Sequence, residues 1–386
     1  MRRLLAGVLI LLLIGCSILV FKSFQRNSGG GEATGKPEKH SARLTLDDTS
    51  EKEVKIGKYI SMPQCSIIGE HDENKGASEK DSSERVEISA RPTSNKNLKK
   101  EFEPVILKAS AEKNDSSAGS SPKTPRIKFK YAGEYKVEYK LADKNSNVLD
   151  SKSVYVTVLP NKKIKTKGVA ICMYHYVYPS GRKDAGVNAN FISTGDLEAE
   201  LKYLNKNHYY YPTWEEVRDY VDGKLVLPDK SIVITFDDGA KSFFKYGKPL
   251  LEKYRIPATS FLITSKGGTT LVEKYASKYV QYQSHTHNMH RPGGRIGHGG
   301  VMTALTEKEV VKDLKRSQHI CRNTQALAYP FGDVTKKTEK YVSKAGFICA
   351  VTTAYGKVRP GDDPMALNRV RMSEGQSLKA FADAVN

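Results

Sequence analysis

Two stretches in the first half of the chain alternate between apolar and polar residues with the period of a β-strand. Their apolar positions are Tyr135, Val137, Tyr139, Leu141, Val154, Val156 and Val158. Strict alternation predicts strands that are buried on one face, and the polar run 143–147 between the stretches predicts a turn. The pattern therefore favours an all-β domain over residues 54–160.

From residue 165 onwards, short apolar runs alternate with helical patterns. The predicted strands are 169–173, 231–235, 258–263, 326–329 and 347–351. One intervening helix has Leu197, Leu201 and Leu204 on a single face, and two others begin with capping boxes at 213–216 and 306–309. Repeated strand–helix units predict an α/β fold, a deformed (β/α) barrel over residues 165–386, whose active site lies at the C-terminal ends of its strands.

The N-terminus has the pattern of an export signal, because a basic start is followed by an apolar run that reaches Phe21. The sequence before Cys16 resembles a bacterial lipobox, in which Cys16 is lipidated. The apolar run continues beyond Cys16 and is also long enough for an uncleaved membrane helix, so both readings stay open. Either way, residues 1–24 predict an anchor with the remaining chain outside the membrane. Residues 25–53, rich in Gly, Ser, Lys and Glu, predict a flexible linker.

The net charge of the chain limits the partners that it is expected to bind. The chain of 386 residues has 62 Lys and Arg against 43 Asp and Glu, a formal net charge of +19. That balance favours an anionic partner such as a cell-wall polymer, or simply reflects a solvated lysine-rich surface. Nucleic acid is disfavoured because no recognition motif accompanies the charge. The five cysteines include no C-x-x-C pair, and Cys172 and Cys349 lie in apolar runs typical of a core. Oligomeric state stays open.

Unusual polar residues follow several predicted strands. Asp237 and Asp238 come directly after one strand, and two adjacent carboxylates are costly unless a cation or proton balances them. By itself, Asp-Asp-Gly is more often a turn. The run from Ser284 to His290 contains three histidines, which suit a metal such as zinc, although histidine-rich loops also occur without one.

Two further elements also occur at strand ends. Tyr329-Pro-Phe331-Gly predicts a structured loop whose backbone N–H groups face a substrate, or else a plain Pro-Gly turn. His175 ends the first barrel strand, where a lone histidine is either structural or functional.

Together these four elements resemble the polysaccharide deacetylase superfamily (NodB homology, carbohydrate esterase family 4) over residues 165–386, with 235–239 matching its first motif in full. The resemblance implies that Asp237 is the general base and that Asp238, His285 and His290 bind a divalent metal, foremost Zn²⁺ with Co²⁺ or Ni²⁺ as alternatives. It also implies an oxyanion-binding N–H at Phe331.

Two departures from the common family pattern point to a subgroup. His285 and His290 are five positions apart rather than four, and the Met-Tyr-His element that ends at His175 precedes the Asp pair. Both features resemble the enzymes that deacetylate poly-β-1,6-N-acetylglucosamine. The usual late Leu-x-His motif is replaced by 367–371, so the resemblance transfers the general acid role to His175.

Supporting roles are less specific. Tyr329 belongs to the loop that carries Phe331. Arg369, within the run that replaces the late motif, either orients a carboxylate of the site or is a surface strand residue. His287 is expected to pack or to form a hydrogen bond rather than bind metal.

Other functions stay open at this point. Peptidoglycan N-acetylglucosamine is the main alternative substrate, followed by chitin oligomers and acetylated xylan. A different class is a surface carbohydrate-binding protein with an inactive barrel. The pattern from Gly133 to Tyr139 resembles bacterial Ig-like sandwich domains, which would suit a spacer or wall-binding role for residues 54–160.

Overall fold

The first part of the described chain is all β structure. The computed structural model describes residues 42–68, 85–94, 98–107, 124–182 and 186–386. Up to residue 160 its strands are β1 (Arg43–Leu46), β2 (Lys52–Lys55), β3 (Tyr59–Ser61), β4 (Cys65–Ile68), β5 (Arg85–Pro92), β6 (Val105–Leu107), β7 (Arg126–Lys128), β8 (Gly133–Ala142) and β9 (Val148–Leu159). They form the sheets β2-β9-β8-β5 and β3-β7-β6 and the pair β1-β4. We call this part the β domain.

Strands β8 and β9 confirm the alternation seen in the sequence. They pair antiparallel, with Tyr135 opposite Val156 and Val137 opposite Val154. These side chains are buried in a core that also takes Ile127 from the three-stranded sheet. The apolar positions of one sheet therefore face those of another, as the period-two pattern requires.

The predicted linker over residues 25–53 is wrong at its C-terminal end. Strand β1 lies inside that range, with Leu44 buried and its N–H donating to the Asp150 carboxylate at 2.8 Å. A four-residue strand turns only two side chains inward, which is too few for a periodic signal. Residues 1–41, including the predicted anchor, lie outside the described residues. In the described ranges, no helix is both long and apolar enough to cross a bilayer.

The second part is the predicted barrel. Seven parallel strands close in the order β10-β13-β14-β15-β16-β17-β18. They are β10 (Ala170–Tyr174), β13 (Ile232–Phe236), β14 (Ala258–Leu262), β15 (Val280–Ser284), β16 (Ala326–Ala328), β17 (Cys349–Tyr355) and β18 (Leu367–Arg371). Closure is achieved by β18 pairing with β10, where Val370 lies opposite Cys172. The short strands β11 (Tyr176–Tyr178) and β12 (Phe191–Ser193) pair beside the end of β10.

Helices connect the barrel strands. They are α1 (Thr194–Lys206), α2 (Trp214–Val221), α3 (Lys248–Tyr254), α4 (Gly268–Lys274), α5 (Glu307–Cys321), α6 (Lys336–Lys344) and α7 (Leu378–Val385). Both predicted capping boxes are confirmed: Thr213 and Glu216 start α2, and Thr306 and Glu309 start α5. Each box satisfies backbone N–H groups that a helix start would otherwise leave without partners.

Two barrel strands were not predicted, and both carry polar residues on the inside. In β15, Gln283 and Ser284 are fully buried, and in β18 the guanidinium of Arg369 is buried. A parallel strand is normally recognised by a continuous apolar run. Neither strand has such an apolar run, because some of its buried positions hold hydrogen-bonding groups instead.

The β domain docks on the N-terminal end of the barrel through backbone hydrogen bonds. The N–H of Ala132 donates to the carbonyl of Lys224 at 2.8 Å, and the N–H of Val226 donates to the carbonyl of Lys130 at 2.8 Å. Phe102 also packs into the barrel core that contains Trp214. Since residues 224–226 precede β13, this contact lies at the opposite end of that strand from Asp237.

A buried carboxyl on α1 makes fold stability depend on pH. Glu200 is 3 % exposed and accepts a hydrogen bond of 2.7 Å from the Tyr174 hydroxyl. Burial raises the pKa of Glu200 to about 8. A carboxyl with a raised pKa in the folded state contributes stability that is complete below its unfolded pKa and is lost as pH rises through the folded value.

We expect Glu200→Gln, which resembles the protonated form, to become more stable relative to the wild type as pH rises. The change between pH 5 and pH 9 should be on the order of 4 kcal/mol, since each pKa unit is worth about 1.4 kcal/mol. Denaturant unfolding at several pH values measures it. Glu198→Gln, at a half-buried carboxylate of α1 that pairs with Lys253, is the control. An equal trend there, or none in Glu200→Gln, contradicts the assignment.

Candidate active site

The polar residues singled out in the sequence lie together at the C-terminal ends of the barrel strands. Parallel strands place their C-terminal ends at one rim of a barrel. His175 follows β10, the pair Asp237 and Asp238 follows β13, and His285 follows β15. The loop with Phe331 follows β16, so four strands contribute to one site.

Asp238, His285 and His290 form a cluster suited to a metal ion. Their ligand atoms all lie within 4.8 Å of one another. The Oδ1 atom of Asp238 is 3.5 Å from Nε2 of His285 and 3.6 Å from Nε2 of His290. Two ligands that bind zinc tetrahedrally at about 2.0–2.1 Å are separated by roughly 3.4 Å, so this spacing fits a metal. Asp238 Oδ1 is also buried and has no hydrogen-bond partner in the described residues.

Hydrogen bonds from neighbouring groups orient these three ligands towards the centre of the cluster. His285 Nδ1 lies 2.8 Å from the carbonyl oxygen of Ala328, so it holds the proton and leaves Nε2 free to bind. The Tyr176 hydroxyl donates to Asp238 Oδ2 at 2.7 Å, which leaves Oδ1 facing the histidines. The positive φ of Asp238, 71°, turns its side chain away from the path of β13. Tyr176 was not singled out in the sequence.

Electrostatics in the cluster favour an ionised Asp238 carboxylate beside a neutral His290 imidazole. Burial raises the pKa of Asp238, but His285 and the Tyr176 hydroxyl outweigh burial and lower it overall. Burial and the neighbouring His285 lower the pKa of His290 to about 4. A neutral imidazole and an ionised carboxylate are the protonation states that bind metal.

Asp237 is held by Arg369 rather than by the metal ligands. The Arg369 guanidinium donates to both carboxylate oxygens of Asp237, at 2.8 and 2.7 Å, and its Nε donates to the Thr352 carbonyl at 2.7 Å. Both charged residues are almost fully buried. Burial raises the pKa of Asp237, but the guanidinium outweighs this and keeps the pKa below its usual value. The side chain of Arg369 therefore orients a carboxylate and does not lie at the surface.

His175 lies beside Asp237. Its Nε2 is 3.9 Å from Asp237 Oδ2, longer than a hydrogen bond, and it is partly buried. Burial lowers the pKa of His175, although Asp237 and Asp238 oppose this.

The loop after β16 forms the wall next to His290. The ring of Phe331 lies 4.3 Å from that of His290, and the backbone of Phe331 has a positive φ of 60°. Tyr329 is buried in the core, where its hydroxyl donates to the Met365 carbonyl at 2.9 Å. Tyr329 thus supports the loop from below and presents no group to the metal cluster.

The segment between the two histidine ligands is fixed by a carboxylate from α5. Asp313 accepts hydrogen bonds from the N–H groups of His287 and Asn288, at 2.7 and 2.9 Å. Thr286 has a φ of 67°, a strained value for a β-branched residue. The five-residue spacing is therefore a tight loop that needs an external partner. His287 turns away and bonds Thr264 at 3.0 Å between Nδ1 and Oγ1, as expected of a residue that does not bind metal.

A second carboxylate fixes the glycine-rich segment that follows His290. Asp333 accepts from the N–H groups of His298 and Gly300 at 2.8 and 2.7 Å. A Cβ on Gly297 would lie 1.9 Å from Asp333 Oδ1, so only glycine fits there. Asp313 and Asp333 were both missed in the sequence, because an acidic residue on a helix or after a turn gives no signal that it accepts hydrogen bonds from the backbone of a distant loop.

Comparisons with known proteins agree with this geometry. Residues 224–350 match the family described as polysaccharide deacetylase. The matched part of the barrel, which runs from just before β13 into β17, is a polysaccharide deacetylase domain. A curated relative, the poly-β-1,6-N-acetyl-D-glucosamine N-deacetylase of Staphylococcus epidermidis, is 28 % identical over 243 residues, which cover 55 % of this chain and 82 % of the relative.

Solved deacetylases share its fold. A polysaccharide deacetylase from Bacillus cereus aligns with a TM-score of 0.51 at 21 % identity, covering 86 % of this chain and all of that one. A Streptococcus pyogenes deacetylase in complex with acetate aligns with a TM-score of 0.50 at 21 % identity, covering 57 % of this chain and 100 % of its own.

We expect Arg369→Leu in the deacetylase barrel to leave Asp237 buried without a partner. Removing one member of a buried ion pair costs about 3–5 kcal/mol, and the pKa of Asp237 should rise because burial then dominates. Denaturant unfolding at pH 7 measures the first effect. Arg371→Leu, an exposed position of the same strand, should cost less than about 1 kcal/mol. Similar losses in the two variants would contradict the role given to Arg369.

Asp313→Ala should weaken metal binding while the protein stays folded. Loss of a group that orients metal ligands typically costs about 10–100-fold in affinity. Zinc competition with a chromogenic chelator measures the affinity, and circular dichroism checks the fold. Glu307→Gln at the start of α5 is the matched control. Wild-type zinc affinity in Asp313→Ala would show that the loop holds its shape without this carboxylate.

Proposed function

We propose that the chain removes acetyl groups from a polymer of N-acetylglucosamine, with poly-β-1,6-N-acetylglucosamine as the substrate. The observation that carries the proposal is the convergence of a metal-type cluster with a separate, ion-paired carboxylate at one barrel rim. Hydrolysis of an amide needs an activated water and a base, and these two features supply a site for each. The name of the staphylococcal relative supports the choice of polymer.

In the proposed reaction, Asp238, His285 and His290 hold a divalent metal, foremost zinc, with cobalt or nickel as alternatives. When bound, such an ion acidifies water and polarises the acetyl carbonyl. Asp237, kept ionised by Arg369, accepts a proton from the attacking water.

The water oxygen then bonds to the carbonyl carbon, and the Phe331 N–H donates to the oxygen that gains negative charge. The carbon–nitrogen bond breaks as His175 passes a proton to the leaving nitrogen, and the proton taken by Asp237 restores His175. Acetate and a free amine are the products.

Aromatic side chains beside the cluster suit a sugar polymer. The ring of Tyr176 stacks on Phe191 with centroids 4.9 Å apart, and Tyr178 contacts Phe191 edge-on at 6.5 Å. All three are only partly buried. Because Tyr176 also bonds Asp238, these rings extend from the metal cluster outwards. Partly exposed rings next to a few fixed polar groups are typical of ligand sites.

The remaining parts of the chain fit an enzyme held outside the cell. We propose that residues 1–24 anchor it to the membrane, through lipidated Cys16 or an uncleaved helix. Residues 165–386 act on the polymer, and the β domain is an Ig-like spacer. The two-sheet core of the β domain supports the last assignment.

Acetate release by the full chain tests the proposal. Acetylated β-1,6-linked glucosamine oligomers should release acetate, a chelator should abolish release, and zinc should restore it. Asp237→Asn should lose roughly 10²–10⁴-fold in rate, the range for a general base. The control is Asp229→Asn, which lies before the start of the same strand.

The same assay with other acetylated polymers identifies the preferred substrate. Faster release from peptidoglycan or from β-1,4-linked oligomers would replace the proposed substrate. No release from any N-acetylglucosamine polymer by the metal-loaded chain would overturn the proposed activity.

A further inference from the structure

A cleft lined by lysines opens where the β domain meets the barrel. Its volume is ≈ 460 Å³. Lys58 and Lys128 line it from the β domain, and Lys163 and Lys165 line it from the segment that connects the two parts. We call it the lysine cleft. The connecting segment has lysine at 162, 163, 165 and 167, a charge run that the proposed activity does not use.

The backbone that carries these lysines is fixed. Asn161 donates its N–H to the Gly223 carbonyl at 2.8 Å, and its side-chain oxygen accepts from the Lys163 N–H at 3.1 Å. Gly223 lies so close that a Cβ would be 2.5 Å from the carbonyl carbon of Asn161. The side chain of Ile164 packs directly over Gly57 of the β domain. The charges therefore project from an ordered wall, which lowers the entropy cost of binding a ligand.

The positive charges of the cleft lack ion-pair partners among the described residues, although the Lys128 ammonium lies 5.6 Å from the centroid of the Tyr59 ring. None of its four lysines makes an ion pair with any of them, although many other lysines of the chain do. Asp229 is the one carboxylate among the described residues that line the cleft. Like charges around a concave surface concentrate the field there, and that field attracts anions.

We propose that the lysine cleft binds an anionic polymer with phosphate groups in its backbone, a polyol phosphodiester chain. Several ammonium groups in one fixed cleft suit the repeated charges of such a chain, because each phosphate contact releases condensed counterions. A bilayer surface is a poorer fit, since its headgroups form a flat layer while these lysines line a concave space. The cleft lies before β13 and Asp237 follows that strand, so a polymer bound here is not the substrate.

The binding test uses the full chain and fluorescently labelled poly(glycerol phosphate). Fluorescence anisotropy measures affinity across a series of NaCl concentrations. Lys163→Glu/Lys165→Glu should weaken binding by about tenfold or more and flatten the salt dependence. Lys337→Glu/Lys340→Glu, at two exposed positions of α6, changes net charge equally and is the matched control. Melting temperatures verify that both variants are folded.

Each outcome decides the proposal. A selective loss in the cleft variant, with the α6 variant close to wild type, supports it. Equal losses in both variants would mean that net charge alone binds the polymer, and no loss would also overturn the site. Binding of phosphatidylglycerol vesicles that is stronger than polymer binding and depends on the same lysines would overturn the choice of ligand.

Discussion

The buried ion pair of Arg369 and Asp237 is the interaction on which the candidate site depends. Two adjacent carboxylates, Asp237 and Asp238, follow one strand, and both cannot stay ionised in a buried place without balancing charges. Each carboxylate has its own partners, since Arg369 balances Asp237 while two imidazoles and the Tyr176 hydroxyl surround Asp238. Barrel closure makes this separation possible, because β18 and β13 both flank β10 and a side chain from one reaches the end of the other.

The second constraint is the shape of the histidine loop. A metal needs its ligands at fixed positions before it arrives, and a strained loop would relax if nothing held it. Asp313 and Asp333 hold this loop on both sides of His290 by accepting backbone N–H groups. Both act in the same way, since a carboxylate that accepts two backbone N–H groups replaces the secondary structure that the loop lacks.

The sequence allowed the barrel, the capping boxes and the residues of the metal cluster to be predicted, because each leaves a local pattern: apolar runs, cap spacing, or rare side chains at strand ends. It did not reveal β15 and β18, whose interiors hold Gln283 and Arg369 where apolar residues are usual. Nor did it reveal Tyr176 or Asp313 as partners, since both act through contacts with residues distant in sequence. What the sequence lacked was information on burial.

The two ends of the barrel differ in the chemistry they present. At the C-terminal end, the site combines a carboxylate, imidazoles and aromatic rings, which suits a neutral acetylated sugar. At the N-terminal end, the β domain contacts the barrel, and the lysine cleft lies at this contact. Deacetylation would turn a neutral polymer into one with free amines, which carry positive charge at neutral pH. The deacetylated product is then repelled by the lysines of the cleft but attracted to the polyanion proposed to bind there. With the two polymers bound at opposite ends of the barrel, one molecule holds oppositely charged polymers near each other without a shared site.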